Sequence, residues 1–339
     1  MEEQACVVIL NWNGQDHLRD CLRSVLDQTY PRFRVLLVDN GSTDQSPTLV
    51  EENFPEVMLL ALPENVFFAR GTNAGIRQAV KDPACRHVVT LNNDTRVAPE
   101  WLAELVKQSS GSVGMVASKL LFMDRPNILN STGLNIAPDG GGMDRGWNQV
   151  DEGQFDMSHD VFGPTAGAAL YRRDMLDSIG LFDEEFVAYY EDLDLAWRAR
   201  LAGWQSRFAP GAVVYHKFSM SHGRGSARKT YFCERNRIWN FVQNYPWRYA
   251  AVGIPWAAAR TIAGPLPWSR PNSSSDHQDG PDRAERSKAM VRARLDAYAG
   301  MARALAKRGE RMARSRASSA TIGSWFRRYG TTMRDAVLS

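Results

Sequence analysis

Four polar clusters in this chain combine residue types able to do chemistry, and three of them close an apolar run. RVLLV ends in Asp39 and the turn Asn40-Gly41-Ser42-Thr43-Asp44, HVVTL ends in Asn92, Asn93 and Asp94, and AVVY ends at His216. The fourth crowds Glu191, Asp192 and Asp194 behind Phe186, Tyr189 and Tyr190. A carboxylate beside an Asn-Gly-Ser turn can accept a hydrogen bond from the N3–H of a uracil or thymine ring. Asp94 and His216, if brought together, offer a carboxylate and an imidazole to a divalent cation such as Mn²⁺ or Mg²⁺. An acid among aromatic neighbours has its pKa raised, as acid–base chemistry requires. In NVFFARGTNAGI, Gly71 and Gly75 flank Asn73 at a helix entry, where backbone N–H groups and Arg70 can meet phosphate. Each cluster also has a structural reading. Asn-Asn-Asp makes an Asx turn, Asp39 caps a helix, the glycines give steric relief, the three acids cap a first turn, and His216 is an ordinary packed side chain.

These groups converge only if one sheet delivers them to one edge. Ala5–Leu10, Arg34–Val38, Met58–Leu62, Val88–Leu91, Val113–Ser118 and Thr165–Tyr171 read as strands. Ser206–Ala209 and Ala212–Tyr215 read as two further pieces. Helical spacing falls between them, with Leu18, Leu22, Val25 and Leu26 on one face of Asp16–Asp27. Helical crossovers imply parallel pairing, and ligands of such α/β sheets sit at the carboxyl edge. Residues 121–160, rich in Gly, Asp and Asn, read as a long excursion over that edge.

Composition suits a globular protein of 339 residues, 44% hydrophobic and 23% charged. The four cysteines show no paired spacing, which argues against a zinc site or a disulfide framework and for a reducing, cytoplasmic setting. No signal-type segment is evident at the start of the chain. The net charge of +3 conceals an acidic body and a basic end: residues 240–339 carry 17 Lys and Arg against 7 Asp and Glu. Tyr231–Tyr245 is an aromatic, basic helix. Tyr249–Ala259 is apolar but broken by Pro255 and stopped by Arg260, too short for a bilayer. With Trp247, Trp256 and Trp268 it suits either a lipid interface or packing on the domain. A polar linker over 271–283 precedes a long Ala/Arg helix, Ala284–Ser315, with Val291, Leu295, Tyr298, Met301 and Leu305 along one stripe.

Taken in order, VVILNWNG, VDNGSTD, FARGTNAG, LNNDT, GAALYRR, GLFDEEFVAYYEDLDLAWRARLAGW, YH and ERNRIWNFVQNYP resemble the family 2 glycosyltransferases of the GT-A fold. Within them they resemble the bacterial rhamnosyltransferase-like branch. The resemblance covers about residues 5–250. It implies an α/β fold of Rossmann-like type, with a mixed, mainly parallel sheet flanked by helices and a C-terminal helical extension. The expected division is a catalytic domain over 1–240, an amphipathic segment over 241–270, the linker and a basic helical tail over 284–339. The implied activity is inverting, metal-dependent transfer of a sugar, with rhamnose a candidate, from a UDP- or dTDP-sugar to a saccharide or lipid-linked saccharide of the cell envelope. Asp39 matches the base-binding acid, Asn93 a position near the ribose, and Asp94 the metal ligand of a D-x-D-like motif whose first acid is Asn here. Asp192, with Glu191 beside it, matches the general base, and His216 a histidine completing the metal site. Asn11 and Arg70 are further candidates for nucleotide contacts. The expected partners are the nucleotide-sugar, the acceptor and an anionic membrane surface met peripherally by the basic tail, with no nucleic acid. Two other readings are a non-catalytic membrane-associated scaffold and a sugar nucleotidyltransferase. NWNGQDH lacks the repeated glycines and Lys that the latter would want after its first strand.

Overall fold

The computed structural model describes residues 4–218, 226–263, 283–333 and 335. By compactness the chain divides into two units, residues 1–134 with 144–218, and residues 135–143 with 219–339. Trp268 and nearly all of the expected linker lie outside the described residues.

The first unit opens with alternating strands and helices: β1 (Gln4–Asn11), α1 (Gln15–Leu26), β2 (Phe33–Asp39), α2 (Ser46–Asn53), β3 (Met58–Ala61), α3 (Phe67–Ala79) and β4 (Cys85–Asn92). It continues through β5 (Thr95–Val97), α4 (Trp101–Gln108), β6 (Val113–Phe122) and β7 (Arg125–Ser131). The hairpin of β8 (Leu134–Ile136) and β9 (Gly142–Asp144) comes next in the chain and belongs almost wholly to the second unit; the first unit then resumes with β10 (Ala168–Arg172), α5 (Arg173–Ile179), α6 (Glu191–Leu201) and β11 (Gln205–His216). Among the described residues one sheet has the order β3-β2-β1-β4-β10-β6-β11-β5, with β7 on β6. β1 pairs in parallel with β2 and β4, and β6 with β11, whereas β10 is antiparallel to both β4 and β6.

Strand alternation builds both faces of this sheet. Val7, Ile9, Val35, Leu37, Val89 and Leu91 join one buried cluster with Leu18, Leu22 and Val25 of α1 and Trp101, Leu102 and Leu105 of α4. On the opposite face lies α3, and there Gly71 and Gly75 find their role. A Cβ on Gly75 would stand 2.4 Å from Val8 Cγ1, and one on Gly71 2.7 Å from Leu10 Cδ1. Both glycines lie inside α3 rather than at its entry, so they allow close packing on β1 and form no phosphate cradle.

Residues 121–160 are more ordered than their composition suggests. β6 runs to Phe122 with all ten residues buried, and β7, β8 and β9 follow. Asn-Asn-Asp leads into β5, a strand that the residue pattern does not announce, and the two pieces before His216 join as one strand with a register shift between Ala209 and Val213.

The second unit contains α7 (Ala227–Asn244), α8 (Ala250–Ala263), α9 (Arg283–Ala299), α10 (Met301–Ala313) and α11 (Ser319–Tyr329). α8 passes through both Pro255 and Arg260, contrary to the expected break and stop. Pro255 forfeits one ladder bond, and the helix survives by packing: Gly253 has no room for a Cβ against the Pro138 carbonyl, 2.5 Å away, or the Phe241 ring. Asp139, its side chain fully buried, holds Arg237 at 3.2 Å and Arg260 at 3.5 Å, so its charge is compensated. The single helix expected over Ala284–Ser315 is two, α9 and α10, joined at Gly300, whose missing side chain admits the Trp239 ring. No helix among the described residues is long and apolar enough to cross a membrane.

Candidate active site

Parallel register carries three polar strand tips to one edge of the sheet. Asn11 pairs with Asp39 across β1 and β2, and Leu10 with Asn92 across β1 and β4. β11 runs parallel to β6 and ends at His216 on the same side. β10 runs the other way, so its start, Ala168 opposite Leu91, faces this edge too.

Side-chain hydrogen bonds link the tips. Asn11, fully buried, donates to Asp39 Oδ1 at 3.2 Å and accepts from Asn93 Nδ2 at 2.7 Å. The Ser42 amide donates to Asp39 Oδ2 at 3.1 Å. Each oxygen of Asp39 thus has one of these donors and keeps a lone pair for a ligand N–H. Gly14 leaves room for this arrangement, since a Cβ there would lie 2.1 Å from Asn93 Nδ2.

Asp94 and His216 meet next to this network. Asp94 Oδ1 lies 3.2 Å from His216 Nε2, and both residues are buried. His216 Nδ1 is 2.9 Å from Asn130 Oδ1, a geometry in which Nδ1–H donates and the Nε2 lone pair faces Asp94 and the Asn92 side-chain amide, 3.4 Å away. The donor set fits a divalent metal, with the remaining positions left to ligand and water. Among the described residues no group of three or more His, Cys, Asp or Glu forms a metal cluster. Asn130 is not foreseen from the residue types because it sits in the expected excursion, and RPNILNS has no alternation that would single it out.

Asp192 reaches the same edge from α6. Its Oδ2 accepts from the Ala166 amide at 3.2 Å, in the segment before β10, and its Oδ1 from the Leu193 amide at 2.7 Å. Nearby, the Thr90 hydroxyl donates to the Ala166 carbonyl and the Asn92 amide to that of Gly167. Burial raises the pKa of Asp192 despite these amide donors. For Glu191, burial first and the neighbouring Asp192 charge second raise the pKa well above the ordinary carboxylate range. Glu191 Oε2 is buried with no hydrogen-bond partner among the described residues. The third acid has another job: Asp194, fully buried, pairs with Arg198 at 2.8 Å, which also binds the carbonyls of Ile179 and Leu181.

The approach to α6 is strained. Val187, Tyr189 and Tyr190 all have positive φ, at 68°, 67° and 71°. Such conformations cost roughly 1–3 kcal/mol each and concentrate at functional sites. Arg70 is drawn to this segment, at 3.3 Å from Glu184, which also accepts from Arg77 and Asn73.

A pH dependence of stability follows from Glu191. Where unfolded chains have ionised and the folded carboxyl has not, the folded state holds more protons, so stability falls as pH rises through that window. Each unit of upward shift corresponds to about 1.4 kcal/mol. Glu191→Gln removes the titration and should raise the melting temperature at pH 8 relative to pH 4, compared with the unmutated chain. Scanning calorimetry at both values tests this, and an identical pH dependence in the two proteins would show that Glu191 ionises normally.

A mixed α/β sheet of this order, with Asp39, Asp94, His216 and Asp192 at its carboxyl edge, is a fold of GT-A type. Residues 6–180, just over half the chain, match the family model described as Glycosyl transferase family 2, and the chain belongs to that family. It is 28% identical over 246 residues to the N-acetylglucosaminyl-diphospho-decaprenol L-rhamnosyltransferase of Mycobacterium tuberculosis, covering 65% of this chain and 78% of that one. It is 30% identical over 198 residues to an O-antigen biosynthesis protein of Myxococcus xanthus, covering 56% of this chain and 15% of that one. These similarities place it in the rhamnosyltransferase-like branch. The fold is similar to that of a Pyrobaculum calidifontis mannosyltransferase solved with GDP-mannose and Mn²⁺, at a TM-score of 0.52 and 17% identity, covering all of this chain and 86% of that one.

Proposed function

We propose that the protein transfers a sugar, with rhamnose the leading candidate, from a UDP- or dTDP-sugar to a hydroxyl of a saccharide or lipid-linked saccharide, with inversion at the anomeric carbon. The assignment of this step to cell-envelope polysaccharide assembly rests on the named activities of the two relatives. The observation that carries the chemistry is the meeting of Asp39, the Asp94–His216 pair and Asp192 at one sheet edge. Asp39, steadied by Asn11 and Ser42, accepts from the pyrimidine N3–H, and Asn93 lies toward the ribose. Asp94 and His216 would hold a divalent cation, which when bound offsets the charge that develops on a departing diphosphate. Asp192 takes the proton of the acceptor hydroxyl as its oxygen attacks the anomeric carbon, and the bond to the diphosphate breaks on the opposite side. Burial suits Asp192 to this role by making its ionised form more basic.

A panel of nucleotide-sugars scored by thermal unfolding tests the reading. Binding at 100 times Kd stabilises a fold by about 2.7 kcal/mol, so one UDP- or dTDP-sugar should raise the melting temperature only with Mn²⁺ or Mg²⁺ present. Failure of every nucleotide-sugar to do so would refute it.

A further inference from the structure

The apolar stripe of α9 and α10 faces outward. Val291, Leu295, Tyr298 and Leu305 are 59%, 64%, 65% and 42% exposed, whereas Ala293, Ala297 and Ala304 are buried. Small residues form the packed seam because they let α9 and α10 lie close to α7, and the large apolar side chains are left on the opposite face. At 100° per residue Val291, Leu295 and Tyr298 form one ridge along α9, and Leu305 stands exposed on α10. Lys288 and Arg292 follow along its flank, with Arg292 79% exposed, and Arg303 is exposed on α10. Residues 283–316 carry 11 Lys and Arg against 3 Asp and Glu. Asp296, the acid nearest the ridge, lies off it, where it accepts from the Tyr231 hydroxyl at 2.6 Å and faces Arg292.

We propose that this ridge docks on the surface of an anionic phospholipid bilayer, with Val291, Leu295 and Tyr298 entering the headgroup boundary and the neighbouring Lys and Arg side chains meeting lipid phosphates. Charge complementarity selects this occupant. A second copy of the same face would oppose two strongly positive flanks. Tyrosine and aliphatic side chains edged by Lys and Arg are the composition of helices that lie in the interface plane. The purpose of docking rests on the proposed use of a lipid-linked acceptor; the docking itself does not.

The experiment is co-sedimentation of the full chain with vesicles of phosphatidylcholine alone or with about 30% phosphatidylglycerol, at low salt. The unmutated chain should bind the anionic vesicles about tenfold more tightly than the neutral ones. Combined Val291→Ser, Leu295→Ser and Tyr298→Ser should weaken that binding about tenfold or more, as should combined Lys288→Gln, Arg292→Gln and Arg303→Gln. All these positions are exposed, so circular dichroism should show unaltered folds. Absent binding to anionic vesicles, or binding unchanged in the serine variant, would overturn the proposal. So would sedimentation velocity showing a dimer that dissociates in that variant. Nucleotide-sugar stabilisation in solution is read separately, so docking can fail while the transferase reading stands.

Discussion

Asp192→Asn is expected to lower the transfer rate by about 10² to 10⁴-fold, the usual contribution of a general base, with donor affinity little changed. The substitution is nearly isosteric. An Asn can still accept from one of the two amides that position Asp192, Ala166 or Leu193. What it loses is the ability to take a proton. The pH profile separates this role from a positioning one. The unmutated enzyme should gain activity with rising pH through a midpoint above that of an exposed Asp, because burial keeps the proton on Asp192 to higher pH. That limb belongs to the Glu191–Asp192 pair rather than to one residue, and it should vanish in Asp192→Asn. A variant that keeps both the rate and the limb would remove Asp192 from the chemistry.

Asp94→Ala should abolish the dependence of donor binding on a divalent cation. It removes the carboxylate of a two-residue donor set, so the loss should exceed the roughly 10- to 100-fold typical of outer-shell partners. The local fold should survive, because the main chain here is held by backbone bonds such as that from the Lys217 amide to the Asp94 carbonyl. Calorimetric titration of UDP and dTDP with Mn²⁺ and with a chelator is the measurement. Different affinities in the unmutated chain and equal, weak ones in the variant are expected. Asn130→Ala should fall between them, since it leaves both donors and removes only the partner of His216 Nδ1. Cation-dependent affinity undiminished in Asp94→Ala would place any metal elsewhere.

Much of this site is legible in the amino-acid sequence, because buried parallel strands write themselves as β-branched runs and stop at polar residues. Asp39, Asn92 and His216 fall at strand ends on that ground. Pairing is harder to foresee. The ten residues of β6 include Lys119, whose burial makes sense only beside Asp151 at 3.0 Å and Asp156 at 2.7 Å, partners far along the chain. Asn130 is hidden for the same reason. In the tail, the helical period of the large apolar residues does not tell which face packs: Val291, Leu295, Tyr298 and Leu305 stand exposed, and Ala293, Ala297 and Ala304 form the buried seam. The glycines of α3 are ambiguous in sequence, and only their contact with Val8 and Leu10 decides between phosphate binding and packing.

Anomalous diffraction from crystals soaked with Mn²⁺ and a nucleoside diphosphate would test the convergence itself. One manganese peak between the Asp94 carboxylate and His216 Nε2, with the base against Asp39 and the diphosphate on the metal, is the expected result. A nucleotide bound away from that edge, or a metal that ignores the Asp94–His216 pair while the nucleotide is in place, would contradict the account.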